Sequence, residues 1–227
     1  MSQALTLVDG LAMRDLQVYL SRASRIEEGS VRLIAGGGIL AVYVAIIYPA
    51  GLLDEVPTVL GLRTFALTDG DPVDAVVPNR SLLERVNRLD AEMTEAVAPV
   101  TLTVPMGVNT VTWAAISPPK GGWIVRPSTT TGVLSRVARD GIAEVAEAVP
   151  TGTGAQLVQK VRAEVWGRDI EGLQDVAAGG AFAALSLGFL SDNEADEVRV
   201  YESGPWTRLT SSRGHVLIKR KAWRLAR

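Results

Sequence analysis

Apolar residues recur at intervals of three and four near the N-terminus, between Asp9 and Glu28. They are Leu16, Tyr19, Leu20, Ala23 and Ile26. This spacing aligns apolar side chains along one face of a helix, and Gly29, just past the last of them, suits a helix end. The pattern therefore predicts an N-terminal amphipathic helix over residues 9–28.

Short apolar runs separated by turn residues dominate the rest of the first half of the chain. The predicted strands cover residues 31–35, 39–47, 62–67, 73–77, 100–104 and 108–116. Gly36-Gly37-Gly38 and Asp69-Gly70-Asp71-Pro72 supply turn chemistry between successive runs, as in β-hairpins. Ser81 and Glu84 have the spacing of a capping box, which predicts a helix over residues 81–96.

Residues 33–53 carry no charge and are numerous enough to cross a bilayer. The run contains the glycine triplet and Pro49, and its centre is rich in β-branched residues, which favour a buried hairpin over a membrane span. We therefore expect no membrane partner.

The second half of the chain changes from hairpins to helices and then back to strands. Ser128 is expected to cap a helix that ends before Pro150. Two further helices and three short strands are predicted over residues 156–166, 173–190, 198–201, 206–210 and 215–219. The prediction is an α+β fold with an antiparallel, hairpin-built sheet in the N-terminal half and a helix-rich C-terminal half that ends in a short β-meander. We expect one domain over residues 1–227, with a possible subdivision into 1–117 and 128–227.

Composition agrees with a folded protein, since the 227 residues are 47% hydrophobic and 21% charged. The chain contains no cysteine, which excludes disulfides and thiolate chemistry and suits a reducing compartment. The first residues lack the basic and apolar regions of a signal peptide. These features predict a cytoplasmic protein.

Charge is distributed unevenly along the chain. Residues 198–227 contain eight basic residues and one acid, whereas the whole chain has a net charge of −2. A basic end of this kind predicts either an acidic partner, nucleic acid among them, or packing of the end against the acidic remainder. A sequence pI near 5.6 argues against a nucleic-acid-binding domain.

The sequence lacks the residue spacing or the residue types that known catalytic and cofactor motifs require. No glycine-rich dinucleotide or P-loop signature is present, and His215 is the only histidine, so any metal site would have oxygen ligands alone. The acids at Asp192, Glu194, Asp196 and Glu197 are interpreted as a solvated loop, since they lack EF-hand spacing. Ser186 lies in an apolar helical stretch rather than in a strand-to-helix nucleophile elbow. The expectation is no catalytic residue, no metal and no cofactor.

Large aromatic and cationic residues supply the candidate interaction site, because such residues are enriched at the centres of interfaces. The candidates are Lys120, Trp123, Arg126, Trp206, Arg208, Arg213, His215 and Lys219. The first hypothesis is a non-enzymatic protein–protein interaction or regulatory protein, whose partner is another protein or a second copy. The alternative is nucleic-acid binding through the helix pair within 156–190 and the basic C-terminal meander. A small-ligand binder or enzyme with an all-oxygen or anion site is the third.

Four blocks of sequence carry a resemblance to a known group of proteins. They cover residues 57–67, 163–168, 204–209 and 213–217, in a chain in which arginine outnumbers lysine 19 to 4. The blocks resemble uncharacterised conserved proteins of actinobacteria. The resemblance implies a bacterial source and a cytoplasmic location, and it brings no activity or ligand.

Overall fold

The computed structural model describes residues 3–49, 56–70, 72–108, 111–149 and 154–220, with the side chains of residues 155 and 156 left out. Within this part of the chain, the helices are α1 Gly10–Ser24, α2 Asn79–Glu92, α3 Thr131–Ala148, α4 Ala155–Gly167, α5 Ala178–Ser186 and a short 3-10 helix at Thr112–Ala115. The strands are β1 Ala4–Leu7, β2 Ser30–Gly36, β3 Ile39–Ile47, β4 Thr58–Gly70, β5 Val73–Pro78, β6 Val100–Thr103, β7 Ile124–Thr130, β8 Glu197–Ser203, β9 Trp206–Ser211 and β10 Gly214–Lys219. This is the predicted α+β class, with antiparallel strand pairs.

The chain divides into two compact units. Unit 1 comprises Met1–Ala45 and Leu62–Ile116, and unit 2 comprises Ile46–Gly61 and Ser117–Arg227. Whether the chain acts as a single domain stays a prediction.

In unit 1, hairpins build the strand order β5-β2-β3-β4, and β1 pairs with both β4 and β6. The side chain of Asp9 caps α1 by accepting a hydrogen bond from Ala12 N at 2.7 Å. Of the predicted apolar stripe, Leu16, Tyr19, Leu20 and Ala23 are buried on α1, whereas Ile26 lies past the helix end and is half-buried. Arg14 of this helix donates to Asp90 of α2 at 2.8 Å. The two helices of unit 1 therefore contact each other through a polar pair as well as through core residues.

In unit 2, which includes the first residues of β4, the strand order is β4-β10-β9-β8-β7. Helix α5 is short and rich in glycine and alanine, and six of its nine residues are buried. A Cβ added at Gly180 would lie 2.3 Å from Ile218 Cδ1, so the absence of a side chain lets the helix lie directly on β10. The predicted helix over 173–190 was thus too long at both ends, because residues 173–177 and 187–190 are not helical. Both flanks contain buried apolar residues, which are Val176, Ala177, Leu187, Phe189 and Leu190.

Both predicted N-caps in the middle of the chain were wrong. Helix α2 begins at Asn79 with no side-chain cap, and Glu84 pairs with Arg80 instead of reaching back to the helix start. Helix α3 is capped by Thr130, which accepts from Val133 N at 3.4 Å, while Ser128 lies in β7. In each case the true helix start lies within a few residues of the predicted cap.

Three further differences concern strands. The predicted strand over 108–116 is irregular chain and a 3-10 helix where it is described, while β1 and β7 were not predicted. The strands predicted over 31–35, 39–47, 198–201, 206–210 and 215–219 were confirmed with small shifts at their ends. In the described part of the chain, no helix has the length and apolar character needed to span a membrane. Residues 50–53 of the uncharged run lie outside the described residues.

Candidate functional site

One candidate residue, Arg208, lies in a row of directly opposed residues across four strands of unit 2. Val125 of β7 lies opposite Tyr201 of β8, Tyr201 lies opposite Arg208 of β9, and Arg208 lies opposite Leu217 of β10. Directly opposed residues of antiparallel strands project to the same face of a sheet. These four residues therefore form one row, which we call the Arg208 row.

Two aromatic rings hold the guanidinium of Arg208. Its Cζ lies 4.6 Å from the ring centroid of Trp123 and 4.4 Å from that of Tyr201, within the range of cation–π attraction. Its Nε is buried and has no hydrogen-bond partner among the described residues. Burial lowers the pKa of Arg208 from its ordinary value, although the neighbouring Tyr201 raises it in part. We call Trp123, Arg208 and Tyr201 the arginine sandwich.

The same face carries polar and cationic residues near the sandwich, together with the buried Trp206 and Leu217. His215 lies opposite Thr210, whose hydroxyl is 3.1 Å from Nδ1, and burial followed by the charge of Arg208 lowers the pKa of His215. Lys219 lies opposite Trp206. Arg199 hydrogen-bonds Tyr201 and Glu197, which raises the pKa of Arg199. The face therefore carries positive charge around the sandwich.

The opposite face of the same strands carries an ion-pair cluster, which we call the Glu202 cluster. Arg126 Nε donates to Glu202 at 2.6 Å and Arg220 donates to Glu202 at 2.8 Å. Arg220 also pairs with Asp175 at 2.7 Å. The hydrogen bond from Arg126, followed by that from Arg220, holds the pKa of Glu202 below its ordinary value. These contacts connect β7, β8 and the end of β10 with the loop before α5.

Strand β7 ends the strand order of unit 2, and its first five residues are exposed. Ile124 and Val125 are 64% and 71% exposed, which is unusual for neighbouring β-branched residues in a sheet. The register shifts between Arg126 and Thr129, and Pro127 lies within the shift. Proline and a bulge weaken pairing at a sheet edge, so the segment suited to a further strand is Ile124–Arg126.

The terminal strand of unit 1 differs from β7. The carbonyl of Val76 in β5 accepts a hydrogen bond from Val108 N at 2.7 Å, and Gly107 lies close to the same oxygen. Arg32 of β2 holds Asp74 of β5 through two hydrogen bonds of 2.8 Å. Irregular chain therefore covers part of the β5 edge, as natural proteins commonly arrange.

Six of the eight predicted interaction residues lie at three places. Trp123, Arg208, His215 and Lys219 lie on or beside the face of the Arg208 row, whereas Arg126 belongs to the Glu202 cluster. Lys120 is exposed in the loop before β7.

Trp206 and Arg213 are placed differently. Trp206 lies opposite Lys219 on the same face, but it is 4% exposed and so packs inside unit 2. Arg213 donates to the carbonyl of Leu190 at 3.2 Å. The basic residues Lys221, Arg224 and Arg227 lie outside the described residues.

Sequence reasoning missed Tyr201, which supplies half of the sandwich. The signal is present in the turn Gly204-Pro205, because a two-residue connection pairs Ser203 with Trp206 and hence Tyr201 with Arg208. The length of this turn alone therefore indicates that Tyr201 and Arg208 are cross-strand neighbours.

The acidic loop before β8 is held by hydrogen bonds within the loop and to the start of α3. Asp196 accepts from Ser191 Oγ at 2.6 Å and from Asn193 Nδ2 at 2.5 Å. The carbonyls of Asp196 and Glu194 accept from Thr131 N and Gly132 N at the start of α3, each at 2.9 Å. Among the residues that the structure describes, no group of three or more histidines or acids could hold a metal ion.

Two family models match the chain, and each covers somewhat less than half of it. Residues 1–106 match a domain of unknown function, DUF8010, and residues 118–223 match another, DUF8185. The gap between the two matches, residues 107–117, contains the boundary between Ile116 of unit 1 and Ser117 of unit 2. No curated protein matches the chain significantly.

Solved structures show which fold the chain has. The DNA polymerase III subunit beta from Pseudomonas aeruginosa is similar with a TM-score of 0.52 and 15% identity over 100% of this chain and 66% of that one. The beta sliding clamp of C. crescentus is similar with a TM-score of 0.51 and 14% identity over 98% of this chain and 66% of that one. The chain has a sliding-clamp-like fold and spans just under two thirds of the length of the structures it matches.

Proposed function

We propose that this chain is a non-enzymatic interaction protein that docks an extended segment of a partner protein along the β7 edge of unit 2. The observation that carries the proposal is the exposed apolar start of β7, Ile124–Arg126, at the end of the strand order. A strand in this position presents backbone donors and acceptors that a further strand can satisfy, and alternate side chains supply specificity.

The contrast between the two sheet edges supports a role for β7. Natural proteins cover or charge their edges to prevent unwanted pairing, as the chain does at β5. At β7, two neighbouring apolar residues, Ile124 and Val125, remain exposed among the described residues. Exposed apolar surface at an edge is a feature of docking sites.

The fold gives further support. The similar solved structures are named as a sliding clamp and a subunit of DNA polymerase III, so those proteins act within an assembly. Their low identity transfers no partner to this chain. The likeness of fold does favour an interaction protein over an isolated enzyme, and so does the lack of any catalytic constellation among the described residues of the site.

A photo-crosslinking amino acid at position 125 provides the test, with the same amino acid at Leu157 as a matched control. Leu157 is an exposed apolar residue of α4 at 52% exposure, away from the sheet edge. A protein crosslinked from position 125 alone is then purified and its affinity measured for the unchanged chain, for Val125→Lys and for Leu157→Lys.

We expect Val125→Lys to weaken binding at least about tenfold and Leu157→Lys to leave it unchanged, because only the first charge lies in the docking segment. Equal affinity of all three proteins contradicts the proposal. Crosslinking of position 125 to a second copy of the chain, with a matching dimer in sedimentation, would mean that the β7 edge binds another copy of this chain. That result contradicts the proposal of a separate partner protein.

Nucleic acid is the second candidate, and the specific observation that favours it is the likeness to DNA polymerase sliding clamps. Of the two helices expected to carry it, α5 offers little surface, since it is mostly buried. Arg220 is occupied by Asp175 and Glu202, and Arg199 by Glu197 and Tyr201. These contacts reduce the cationic groups available to phosphates, so the protein partner ranks first.

A further inference from the structure

The guanidinium of Arg208 is held in place without an acid. Its neighbours are the rings of Trp123 and Tyr201, at 4.6 and 4.4 Å from Cζ, and no described carboxylate or carbonyl accepts from it. Every other arginine that lies near it in this sheet has a hydrogen-bonding partner among the described residues: Arg126 with Glu202, Arg199 with Glu197, and Arg213 with Leu190. Among the described residues of this group, Arg208 is therefore the cation whose donors are unused.

The guanidinium of Arg208 lacks acceptors for its hydrogen-bond donors among the described residues. Its five N–H donors lie in one plane, and a ring face attracts the charge without accepting those in-plane hydrogen bonds. A buried donor left unsatisfied costs free energy, and Nε is such a donor here. The planar fork matches carboxylates and phosphates, which accept two parallel hydrogen bonds.

Position connects this group with the docking edge. Trp123 directly precedes β7, and Val125 lies in the same row as Tyr201 and Arg208. A guanidinium in contact with Trp123 is therefore oriented toward the strand on which the partner docks. Strands β8 and β7 lie between β9 and a segment docked on β7, a separation of three strand spacings of about 4.8 Å each. The guanidinium of Arg208 already extends over Tyr201 of β8 to Trp123, so only a long acidic side chain on the face of the row can extend toward it.

We propose that the terminal Nη groups of Arg208 bind a carboxylate of the docked segment, which makes the partner an acidic polypeptide. This inference rests on the proposed function and specifies the chemistry of its partner. Because the occupant is a polypeptide, the anion is the side chain of an aspartate or glutamate. The surrounding Lys219 adds positive charge on the same face and favours the same sign of ligand.

Two capped peptides test the proposal on the unchanged full chain. The probe is acetyl-Val-Glu-Val-Glu-Val-amide and its match is acetyl-Val-Gln-Val-Gln-Val-amide, which has the same shape and no charge. The readout is the Arg208 Nε–Hε signal in a ¹⁵N-correlated NMR spectrum, identified by its loss in Arg208→Gln. We expect saturable shifts with the glutamate peptide and an affinity at least about tenfold weaker with the glutamine peptide.

Variants and a competing anion complete the experiment. Arg208→Lys keeps the charge and the side-chain stem but loses the fork, so we expect weaker binding of the glutamate peptide with an unchanged amide spectrum. If Arg208→Gln fails to fold, the peptide pair and Arg208→Lys still decide the outcome.

Three results would overturn the inference: equal affinity for both peptides, equal affinity of the lysine variant and the unchanged chain, or equally strong saturation of the same signal by inorganic phosphate. The proposed function fails separately, if Val125→Lys leaves binding of the crosslinked partner unchanged. An unaffected Arg208 signal alongside a damaging Val125→Lys would reject the carboxylate site and retain the docking edge.

Discussion

Glu202 accepts a hydrogen bond from Arg126 Nε at 2.6 Å across the β7–β8 pair. The same carboxylate accepts from Arg220, which also holds Asp175. Asp175 has a φ of 61°, a left-handed conformation that a non-glycine residue adopts at a cost, and its carbonyl accepts from Thr207. The Glu202 cluster therefore fixes both the edge strand and a strained loop residue.

We predict that Glu202→Gln lowers the free energy of unfolding by roughly 1 kcal/mol at neutral pH, as for a part-exposed ion-pair network. The lowered pKa of Glu202 sets the pH dependence. Its contribution is complete above the ordinary glutamate value of about 4.3 and is lost as pH falls through the lowered folded value. Urea denaturation between neutral and acidic pH should therefore give a shallower loss of stability in Glu202→Gln than in the unchanged chain.

Glu197→Gln is the matched control, because Glu197 is in the same strand and pairs with the exposed Arg199 at 3.5 Å. We expect no measurable change in stability for this variant. Equal effects of the two substitutions would mean that the Glu202 cluster contributes no more than an ordinary surface pair.

His215 should also make the folded protein less stable as pH falls, as Glu202 does. Burial lowers its pKa in the folded protein, so the unfolded chain takes up a proton first as pH falls below about 6.5. Stability is therefore greatest above that value and decreases below it. Since His215 is the only histidine, His215→Gln should flatten the stability profile between about pH 7.5 and 5.5. Parallel profiles for the two proteins, measured by urea denaturation, would contradict this assignment.

Gly141 of α3 faces a ring that has no room to move. A Cβ at this position would lie 2.5 Å from Cζ3 and 2.7 Å from Cη2 of Trp166, and Trp166 stacks on Phe182 at 4.5 Å between centroids. Alanine gains about 1 kcal/mol of helix propensity, but overpacking costs about 1–3 kcal/mol. We predict that Gly141→Ala lowers the melting temperature.

Gly121→Ala serves as the control for Gly141→Ala, since nothing lies within 4 Å of an added Cβ there. Its melting temperature should stay within the error of the measurement. A melting temperature of Gly141→Ala that equals or exceeds that of the unchanged chain would show that Trp166 moves freely.

Sequence patterning predicted the elements whose apolar period is regular. The stripe of α1 and the alternation of β2, β3 and the last three strands follow from one buried face each. Strand β7 lacks such a pattern, because it is an exposed edge with Pro127 in its middle. Helix α5 lacks a stripe because it is buried on nearly all sides, so its ends are set by packing rather than by a polar face.

The candidate site was predicted in composition and not in geometry. Trp123, Arg208 and His215 were identified as separate aromatic and cationic residues, and the fold of the sheet brings the first two together. Trp206 is of the same residue type as Trp123 but is buried, at 4% exposure. Which tryptophan remains accessible depends on strand register and on the packing of neighbouring chain, and neither follows from residue type.

Nucleic-acid binding gives the last prediction, and it tests the ranking of the two candidate functions. Charge reversal at Arg213 and Lys219 is expected to lower thermal stability more than it changes binding, because Arg213 holds the carbonyl of Leu190. For the unchanged chain we expect weak duplex binding. The logarithm of its association constant should fall against the logarithm of the salt concentration with a slope of about −0.9 per phosphate contact. Nanomolar affinity at physiological ionic strength, lost in Arg213→Glu with Lys219→Glu at an unchanged melting temperature, would instead place nucleic acid first. Filter binding across a salt series and calorimetric melting of both proteins distinguish these outcomes.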